Sequence, residues 1–233
     1  MKAAVLVFPG SNCDRDAQRA LLESSDFAAD LVPHGRRDLG GYDLIVLPGG
    51  FAHGDYLRCG AIARFSPCLE GVAAAAGRGV PVLGICNGFQ ILLEAGLLPG
   101  AMLPNESSRF EHGWIRVRCE AADTAFTAAA AEGNVLRLLI AHGEGNYHAP
   151  PDQLARIESA GQVVFRYCDG RGRLGRAHNP NGSVNHIAGV CNQARNVVGL
   201  MPHPERASSA RLGSTDGTAF WDSAARWLMD RRS

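Results

Sequence analysis

Short, continuously apolar runs alternate with helix-like stretches through the first hundred residues of the chain. Strands that are apolar at every position are buried on both faces, which is typical of parallel sheets covered by helices. The pattern therefore predicts an α/β fold with an open, mostly parallel, doubly wound sheet. The predicted strands lie at residues 3–8, 27–32, 42–47 and 80–85, and the predicted helices at residues 14–23, 59–76 and 88–94.

The second half of the chain changes character, because apolar and polar residues alternate within its strand-like segments. Alternation with period two is typical of antiparallel or edge strands with one solvated face. Since no repeat or linker separates two cores, the prediction is one domain over residues 1–233. The alternating segments lie at residues 114–119, 163–167 and 185–191, a glycine-rich loop at residues 169–183, and a last helix at residues 216–229.

The composition narrows the class of protein. Hydrophobic residues make up 46% of the chain, and 28 glycines and 12 prolines indicate a packed domain with many tight turns. The 23 basic residues balance the 23 acidic ones, so no net charge attracts a nucleic acid. No apolar run approaches the roughly 20 residues of a membrane helix. We therefore expect neither a nucleic-acid partner nor a membrane partner.

Seven cysteines are scattered along the chain without a CxxC pair. This odd number argues against a disulfide framework and against a zinc finger, and it favours the reducing cytoplasm as the compartment. The histidines are not spaced as a metal-binding pair on one helix or strand, so no metal site is predicted. No glycine-rich nucleotide motif follows the first strand, and nucleotide binding by this chain has no support.

The residues around Cys86 read Gly-Ile-Cys-Asn-Gly and stand between a predicted strand and a predicted helix. A G-x-nucleophile-x-G turn in that context is a nucleophile elbow, in which the flanking glycines make room for a strained nucleophile. The helix that follows directs unpaired N–H groups and a positive dipole end at the thiol. A cysteine is more often a buried structural residue than a catalytic one, and the other six cysteines are predicted to be structural. The elbow singles out Cys86 as a nucleophile.

A thiol nucleophile needs a base and an orienting group, which are usually distant in the sequence. His203 follows an apolar run at residues 197–200 and has a proline on either side, which restricts its backbone. Glu205 projects to the same side of an extended segment and is placed to hold the imidazole tautomer. Alone, a His-Pro pair is more often a rigid strand exit than a catalytic one. The elbow cysteine favours the catalytic interpretation.

Two further features near these residues carry weaker signals. The segment at residues 48–51, Pro-Gly-Gly-Phe, ends a predicted strand, where backbone without side chains can direct an N–H at an oxyanion. An ordinary turn is the alternative there. Gln90 lies four residues after Cys86 and faces either the pocket or solvent. Residues 141–147 are either a functional loop or a plain turn.

Together these elements resemble the class I (triad) glutamine amidotransferases, with their flavodoxin-like sheet, G-x-C-x-G-x-Q elbow and late H-P-E. The resemblance is closest to one family, the glutaminase subunit (subunit I) of phosphoribosylformylglycinamidine synthase, which serves purine biosynthesis. The matching motifs are FPGSNCD at residues 8–14, PGGFAHGDYLRCGAIA at 48–63, GICNGFQ at 84–90, AHGEGNY at 141–147, NPNGS at 179–183 and MPHPER at 201–206.

The resemblance implies specific roles for the residues of these motifs. Cys86 would be the nucleophile, and His203 and Glu205 would complete the triad. Gly50 and Asn87 would offer backbone N–H groups to the oxyanion of the tetrahedral intermediate. The implied reaction is hydrolysis of glutamine to glutamate and ammonia.

The resemblance also implies partners for the chain. A large synthetase subunit would use ATP and Mg²⁺ to convert formylglycinamide ribonucleotide to the amidine, with a third small subunit assisting, and this chain would need no cofactor of its own. Gln90 would help to seat the glutamine substrate. Residues 51–57 and 169–183 are candidate partner contacts. The chain departs from the family pattern at Arg195, where a glycine usually precedes the Asn-Val of the last strand.

Two other functions stay open on the sequence. Related α/β hydrolases or deglycases share the elbow cysteine without glutamine chemistry, and a non-catalytic regulatory subunit would keep the fold for partner binding alone. The Pro-His-Pro-Glu segment argues against the first alternative. Intact Cys86, His203 and Glu205 argue against the second.

Overall fold

A nine-stranded sheet forms the centre of the computed structural model, which describes residues 1–24 and 27–231. A small two-stranded sheet, β5 with β8, lies apart from it. The strands are β1 Lys2–Val7, β2 Ala28–Pro33, β3 Leu44–Leu47, β4 Val82–Ile85, β5 Ala101–Leu103, β6 Glu111–Cys119, β7 Val135–His142, β8 Asn146–His148, β9 Val163–Tyr167, β10 Ile187–Cys191 and β11 Val197–Leu200. The α-helices are α1 Asp14–Ser24, α2 Cys68–Gly77, α3 Asn87–Glu94, α4 Pro151–Ser159 and α5 Thr218–Asp230.

One half of the large sheet is parallel, as the apolar runs predicted. The strand order is β2-β1-β3-β4-β11-β10-β9-β6-β7, and β2, β1, β3, β4 and β11 pair in parallel. Strands β3, β4 and β11 are buried at every position, which is why their sequences are apolar throughout. The carboxyl ends of parallel neighbours meet at one edge of a sheet. The loops that leave this edge carry Cys13, Gly50, Cys86 and His203.

The other half of the sheet is antiparallel, which confirms the second prediction from the pattern. Strands β11, β10, β9, β6 and β7 pair in antiparallel register. Strand β6 is longer than predicted, and its first residues alternate between partly buried and exposed positions, as expected for a solvated face. Most of the buried hydrophobic residues form one continuous cluster, whose members range from Ala3 to Ala225.

The predicted helix at residues 59–76 is wrong in its first half. Between residues 59 and 66, all of which the structure describes, the helical structure is a single 3-10 turn, Ala63–Phe65, and α2 begins after Pro67. Ser66 is extended, with ψ 137°, because the proline ring disfavours the helical conformation of the residue before it. Helix α4 was not predicted, although its proline in the first turn is a common start signal. The ends of the other elements differ from the predicted ends by a few residues.

The departure from the family pattern at Arg195 has a structural explanation. Arg195 has φ +63°, a left-handed conformation that favours glycine and that the turn between β10 and β11 imposes on this position. Its guanidinium group donates to the carbonyls of Ala160 (2.9 Å) and Gly161 just beyond the end of α4. It also approaches Asp123 at 3.5 Å. These contacts offset the backbone strain that a glycine would avoid.

None of the helices within the described ranges is both long and apolar enough to cross a membrane.

Candidate active site

Cys86 occupies the sharp turn that joins β4 to α3. Its φ of +50° and ψ of −106° lie where L-residues are strained. A Cβ at Gly84 would approach Leu92 Cδ1 to 2.5 Å, and a Cβ at Gly88 would approach the Leu47 carbonyl oxygen to 1.9 Å. Both glycines are therefore required for the strand and helix to pack this closely. The turn has the geometry of the predicted nucleophile elbow.

The thiol of Cys86 lies almost fully buried at the carboxyl edge of the sheet. It is 5% exposed and donates to the carbonyl of Ala141 at 3.7 Å. The Cys86 N–H donates to the Leu200 carbonyl at 2.8 Å, which fixes the elbow to the end of β11. His203 follows that end by three residues. The fold thereby brings the elbow and the late His-Pro-Glu segment together.

His203 and Glu205 form a buried, directly bonded pair. His203 Nδ1 donates to Glu205 Oε1 at 2.6 Å, and both side chains are almost fully enclosed. The backbone N–H of His203 donates to the Leu139 carbonyl at 2.8 Å, so β7 holds the backbone that carries the imidazole. Within the described ranges, His203 Nε2 has no hydrogen-bond partner. The free nitrogen is the one that a reacting group would use.

Two opposing effects set the pKa of His203. Burial would lower it, because the imidazolium is removed from water. The carboxylate of Glu205 and the sulfur atoms of Cys86 and Cys13 favour the charged form, and together they raise the pKa of His203 well above 6.5. The surroundings of His203 therefore favour its imidazolium form, which the Glu205 carboxylate holds. Such a group donates a proton readily to a leaving amine.

Replacing Glu205 with glutamine is expected to lower the pKa of His203. The carboxylate is the largest of the contributions that raise this pKa, so without it the lowering effect of burial is opposed only by the sulfur atoms of Cys86 and Cys13. NMR of histidine-labelled protein between pH 5 and 9 measures both midpoints. The Glu158→Gln variant, which removes a carboxylate bonded to Arg166, serves as the control and should leave His203 unchanged. An unchanged His203 midpoint in Glu205→Gln would show that the carboxylate does not raise the pKa of His203.

Gly50 and Asn87, the predicted oxyanion donors, both follow strands that end at the carboxyl edge of the sheet. Gly50 has φ +142°, and a Cβ there would come within 2.8 Å of the Asn12 nitrogen and of Ser11 Cα. Asn87 is the first residue of α3, so its N–H is outside the helical hydrogen-bond ladder. Among the hydrogen bonds of the described residues, neither backbone N–H is engaged. Their role in binding an oxyanion stays a prediction.

The side chains of Asn87 and Gln90 form a bonded chain beside the elbow. Asn87 Oδ1 accepts from the Ala52 N–H at 3.0 Å, and its Nδ2 donates to Asp55 Oδ1 at 3.0 Å and to Gln90 Oε1 at 2.9 Å. Gln90 Nε2 donates to the Glu144 carbonyl at 2.6 Å. Gln90 is buried, not solvent-facing, and both ends of its amide are engaged within the chain. That it seats glutamine stays a prediction.

Cys13 lies against the triad, although the sequence pattern placed it among the structural cysteines. A Cβ on Gly49 would be 2.7 Å from His203 Cε1 and 3.2 Å from Cys13 Sγ, so these three residues are in close contact. Arg206 Nη2 donates to Cys13 Sγ at 3.1 Å. Strand β1 is the neighbour of β3, and this adjacency, which the spacing of the sequence does not reveal, brings Cys13 to the site.

His142 is a second residue that the pattern did not single out. Asn105 Nδ2 donates to the carbonyls of Arg109 and His142, both at 2.8 Å, so its Oδ1 faces His142 Nδ1 at 3.1 Å. An amide oxygen only accepts, and Nδ1 therefore carries the hydrogen. Burial and the nearby charge of His203 lower the pKa of His142 to about 4. At neutral pH the imidazole of His142 is therefore uncharged.

One group of possible metal ligands occurs among the described residues. Ligand atoms of Cys13, His203 and Glu205 lie within 4.8 Å of one another. Because His203 and Glu205 bond directly to each other, their atoms are engaged in an acid–base pair. The expectation that the chain needs no metal stays a prediction.

The site and fold have close relatives among known proteins. The CobB/CobQ-like glutamine amidotransferase domain family matches residues 1–228. The phosphoribosylformylglycinamidine synthase subunit PurQ of Rubrobacter xylanophilus is 55% identical over 217 residues, covering 93% of this chain and 94% of that protein. PurQ of Moorella thermoacetica is 51% identical over 227 residues, covering 97% of this chain and 96% of that protein.

Solved structures agree with these relatives. The structure of PurLQS from Thermotoga maritima contains a chain with 44% identity and a TM-score of 0.87, covering 97% of this chain and 98% of that one. A glutamine amidotransferase of the same organism shares the fold at 20% identity and a TM-score of 0.55, covering 100% of this chain and 85% of that one. The chain therefore belongs to the CobB/CobQ-like glutamine amidotransferase family and, within it, to the family of the phosphoribosylformylglycinamidine synthase subunit PurQ.

Proposed function

We propose that this chain is the glutaminase subunit of a phosphoribosylformylglycinamidine synthase and hydrolyses glutamine to glutamate and ammonia. The observation that carries the proposal is the elbow thiol of Cys86 beside the buried His203–Glu205 pair. Membership of the PurQ family gives the substrate and the partners, since its relatives are named as subunits of that synthase.

The first half of the reaction forms a thioester. The Cys86 sulfur attacks the side-chain amide carbon of glutamine, and its proton is held by His203. The negative charge on the amide oxygen is received by the N–H groups of Gly50 and Asn87, each of which contributes on the order of 3 kcal/mol to lowering the barrier. His203 then gives its proton to the amide nitrogen, which leaves as ammonia while the C–N bond breaks. Glu205 stabilises the imidazolium throughout.

The second half hydrolyses the thioester. His203, now neutral, takes a proton from a water molecule, whose oxygen attacks the thioester carbon. The same N–H groups receive the second oxyanion. The C–S bond breaks, the sulfur regains a proton from His203, and glutamate leaves. The sum of both halves is glutamine plus water giving glutamate plus ammonia.

The ammonia is useful only where a partner consumes it. We propose that it passes to a large synthetase subunit, which uses ATP and Mg²⁺ to convert formylglycinamide ribonucleotide to formylglycinamidine ribonucleotide, with a third small subunit in the complex. The relative from Thermotoga maritima belongs to a structure of PurLQS, which supports such an assembly. No cofactor bound to this chain enters the reaction. The free thiols of all seven cysteines are consistent with a cytoplasmic location.

The test reconstitutes the chain with the large and small synthetase subunits and measures glutamate and the amidine product together. With glutamine and ATP, we expect the two products in a ratio near one to one. A parallel reaction without this chain receives ammonium chloride in place of glutamine and reports whether the synthetase itself is active. Product from ammonium chloride but none from glutamine, with this chain folded, would overturn the proposal and favour the deglycase or non-catalytic alternative.

A further inference from the structure

Two large apolar side chains project from the loop that follows Gly50. Tyr56 is 74% exposed and Leu57 is 91% exposed, and we call these two residues the tip. Phe51, at the base of the same loop, is 46% exposed. Single exposed apolar residues are common, but adjacent ones on a short loop beside a reaction site are typical of a surface that another protein covers.

The backbone of this loop is held in an unfavourable conformation. His53, Asp55 and Leu57 have φ of +55°, +52° and +72°, values that are uncommon for residues other than glycine. Three such residues within five positions persist only where surrounding contacts hold them. The loop is therefore shaped by its attachments rather than by its own preferences.

The loop is attached to the segment after β1 through the His53 N–H, which donates to the Pro9 carbonyl at 2.6 Å, and to α3, the helix that starts at the elbow. Asn87 accepts from the N–H of Ala52 and donates to Asp55, both at 3.0 Å. Beyond the tip, Arg58 bonds Glu94 with two contacts of 2.7 Å. The loop is thus fastened to the first and last residues of α3, while the tip between the fastenings is free among the described residues.

Asp55 is the central fastening. Its carboxylate takes hydrogen bonds from Asn87 Nδ2 and from the Cys59 thiol. Partial burial raises the pKa of Asp55, so these bonds also replace lost hydration. Asn87 is the residue whose backbone N–H is proposed to receive the oxyanion. The Asp55 side chain, one residue before the tip, consequently connects the tip directly to the side chain of Asn87.

We propose that the tip is a docking surface for the synthetase subunit and that Asp55 transmits docking to the oxyanion donor at Asn87. This inference rests on the proposed function and adds to it the surface and the route of control. In it Asp55 is a positioning residue, because it acts through Asn87 rather than on the substrate.

The occupant follows from the reaction and from the chemistry of the tip. Ammonia leaves from Cys86, so the protein that receives it must cover the surface next to the elbow. The tip offers an aromatic ring and an aliphatic side chain with no free charge, since the neighbouring Arg58 is paired with Glu94. Apolar anchors of this kind insert into a preformed apolar pocket of a partner. A second copy of this chain is the alternative occupant, and the experiment separates the two.

The first measurement tests docking. The double variant Tyr56→Ser with Leu57→Ser is expected to bind the synthetase subunit roughly 100-fold more weakly in titration calorimetry. Its glutaminase activity without the partner should be unchanged. The matched control is Leu22→Ser with Met229→Ser, which removes two exposed apolar residues of α1 and α5 and should bind normally. Normal binding of the synthetase subunit by the tip variant would overturn the proposal. So would a tip variant that binds the synthetase normally and changes only the self-association of this chain.

The second measurement tests transmission. Asp55→Ala removes the acceptor for Asn87, and we expect it to bind the synthetase normally while losing at least about tenfold of kcat in the complex, with KM for glutamine nearly unchanged. Asp55→Asn keeps a carbonyl oxygen and tolerates the left-handed backbone, so it should restore most of kcat. Equal kcat in Asp55→Ala, Asp55→Asn and wild type would exclude Asp55 as the route.

The outcomes also separate this inference from the proposed function. If wild-type complex fails to release glutamate from glutamine, the proposed function itself is wrong. If wild type is active and the tip variant binds and turns over equally well, only the docking inference is wrong.

Discussion

Glutaminase activity is expected to fall by at least about 10⁴-fold when Cys86 is replaced with alanine. This loss corresponds to roughly 5.5 kcal/mol of transition-state stabilisation. Without the sulfur no thioester forms, and His203 and the oxyanion donors have no nucleophile to assist. Alanine keeps the Cβ and imposes no new side chain on the strained elbow, so the fold should be retained. Glutamate release measured with excess glutamine and synthetase gives the result.

The matched control for this loss is Cys119→Ala. Cys119 is also buried but ends β6 in the antiparallel half of the sheet, where its thiol donates to the Ala121 carbonyl. We expect that variant to keep its activity with a modest loss of stability. Cys86→Ala should still bind glutamine and the synthetase. More than a tenth of wild-type activity in folded Cys86→Ala would contradict the assignment of Cys86 as nucleophile.

Replacing Gly88 with alanine is expected to destabilise the fold by about 3 kcal/mol or more. The new Cβ would lie 1.9 Å from the carbonyl oxygen and 2.6 Å from the carbonyl carbon of Leu47, at the end of β3. Backbone cannot move aside as a flexible side chain does, so α3 must shift away from the sheet. The better helix propensity of alanine returns only about 1 kcal/mol. For a chain of this size, the midpoint of thermal unfolding should fall by roughly 6–12 °C.

Gly77→Ala is the control that separates the clash from the general effect of losing a glycine. Gly77 is the last residue of α2, and a Cβ there meets nothing within 4 Å. The free energy of unfolding of the Gly77→Ala variant should stay the same or rise by up to about 1 kcal/mol. Equal melting temperatures for Gly88→Ala and Gly77→Ala would show that α3 is not held against β3 as the structure describes.

The pattern of the sequence was sufficient for the sheet and for the elbow because both are local. Strands buried on two faces must be apolar at every position, and β3 and β4 could be located from that property alone. The glycines on either side of Cys86 and the prolines on either side of His203 restrict the backbone within a few residues. Signals of this kind need no knowledge of distant contacts.

The prediction of a helix at residues 59–76 is wrong in its first half for a reason that is also local. The apolar and small residues from position 68 onward suit a helix. The predicted helix also includes residues before Pro67, although the residue before a proline avoids the helical conformation. At Arg195 the cause is a contact between distant segments. Its left-handed backbone is tolerated only because its side chain reaches carbonyls beyond the end of α4, and that contact is formed between segments more than thirty residues apart.

By itself the sequence determined the α/β class, the change from parallel to antiparallel strands, the nucleophile elbow and the His-Pro-Glu segment, since each depends on neighbouring residues. Only the tertiary structure decided that Cys13 touches His203, that Gln90 is bonded at both ends of its amide, and that Asp55 fastens an exposed loop to Asn87. Apart from the bond between Asn87 and Gln90, those contacts join residues far apart in the chain. They depend on strand order and on the directions of individual side chains, which local patterns do not specify.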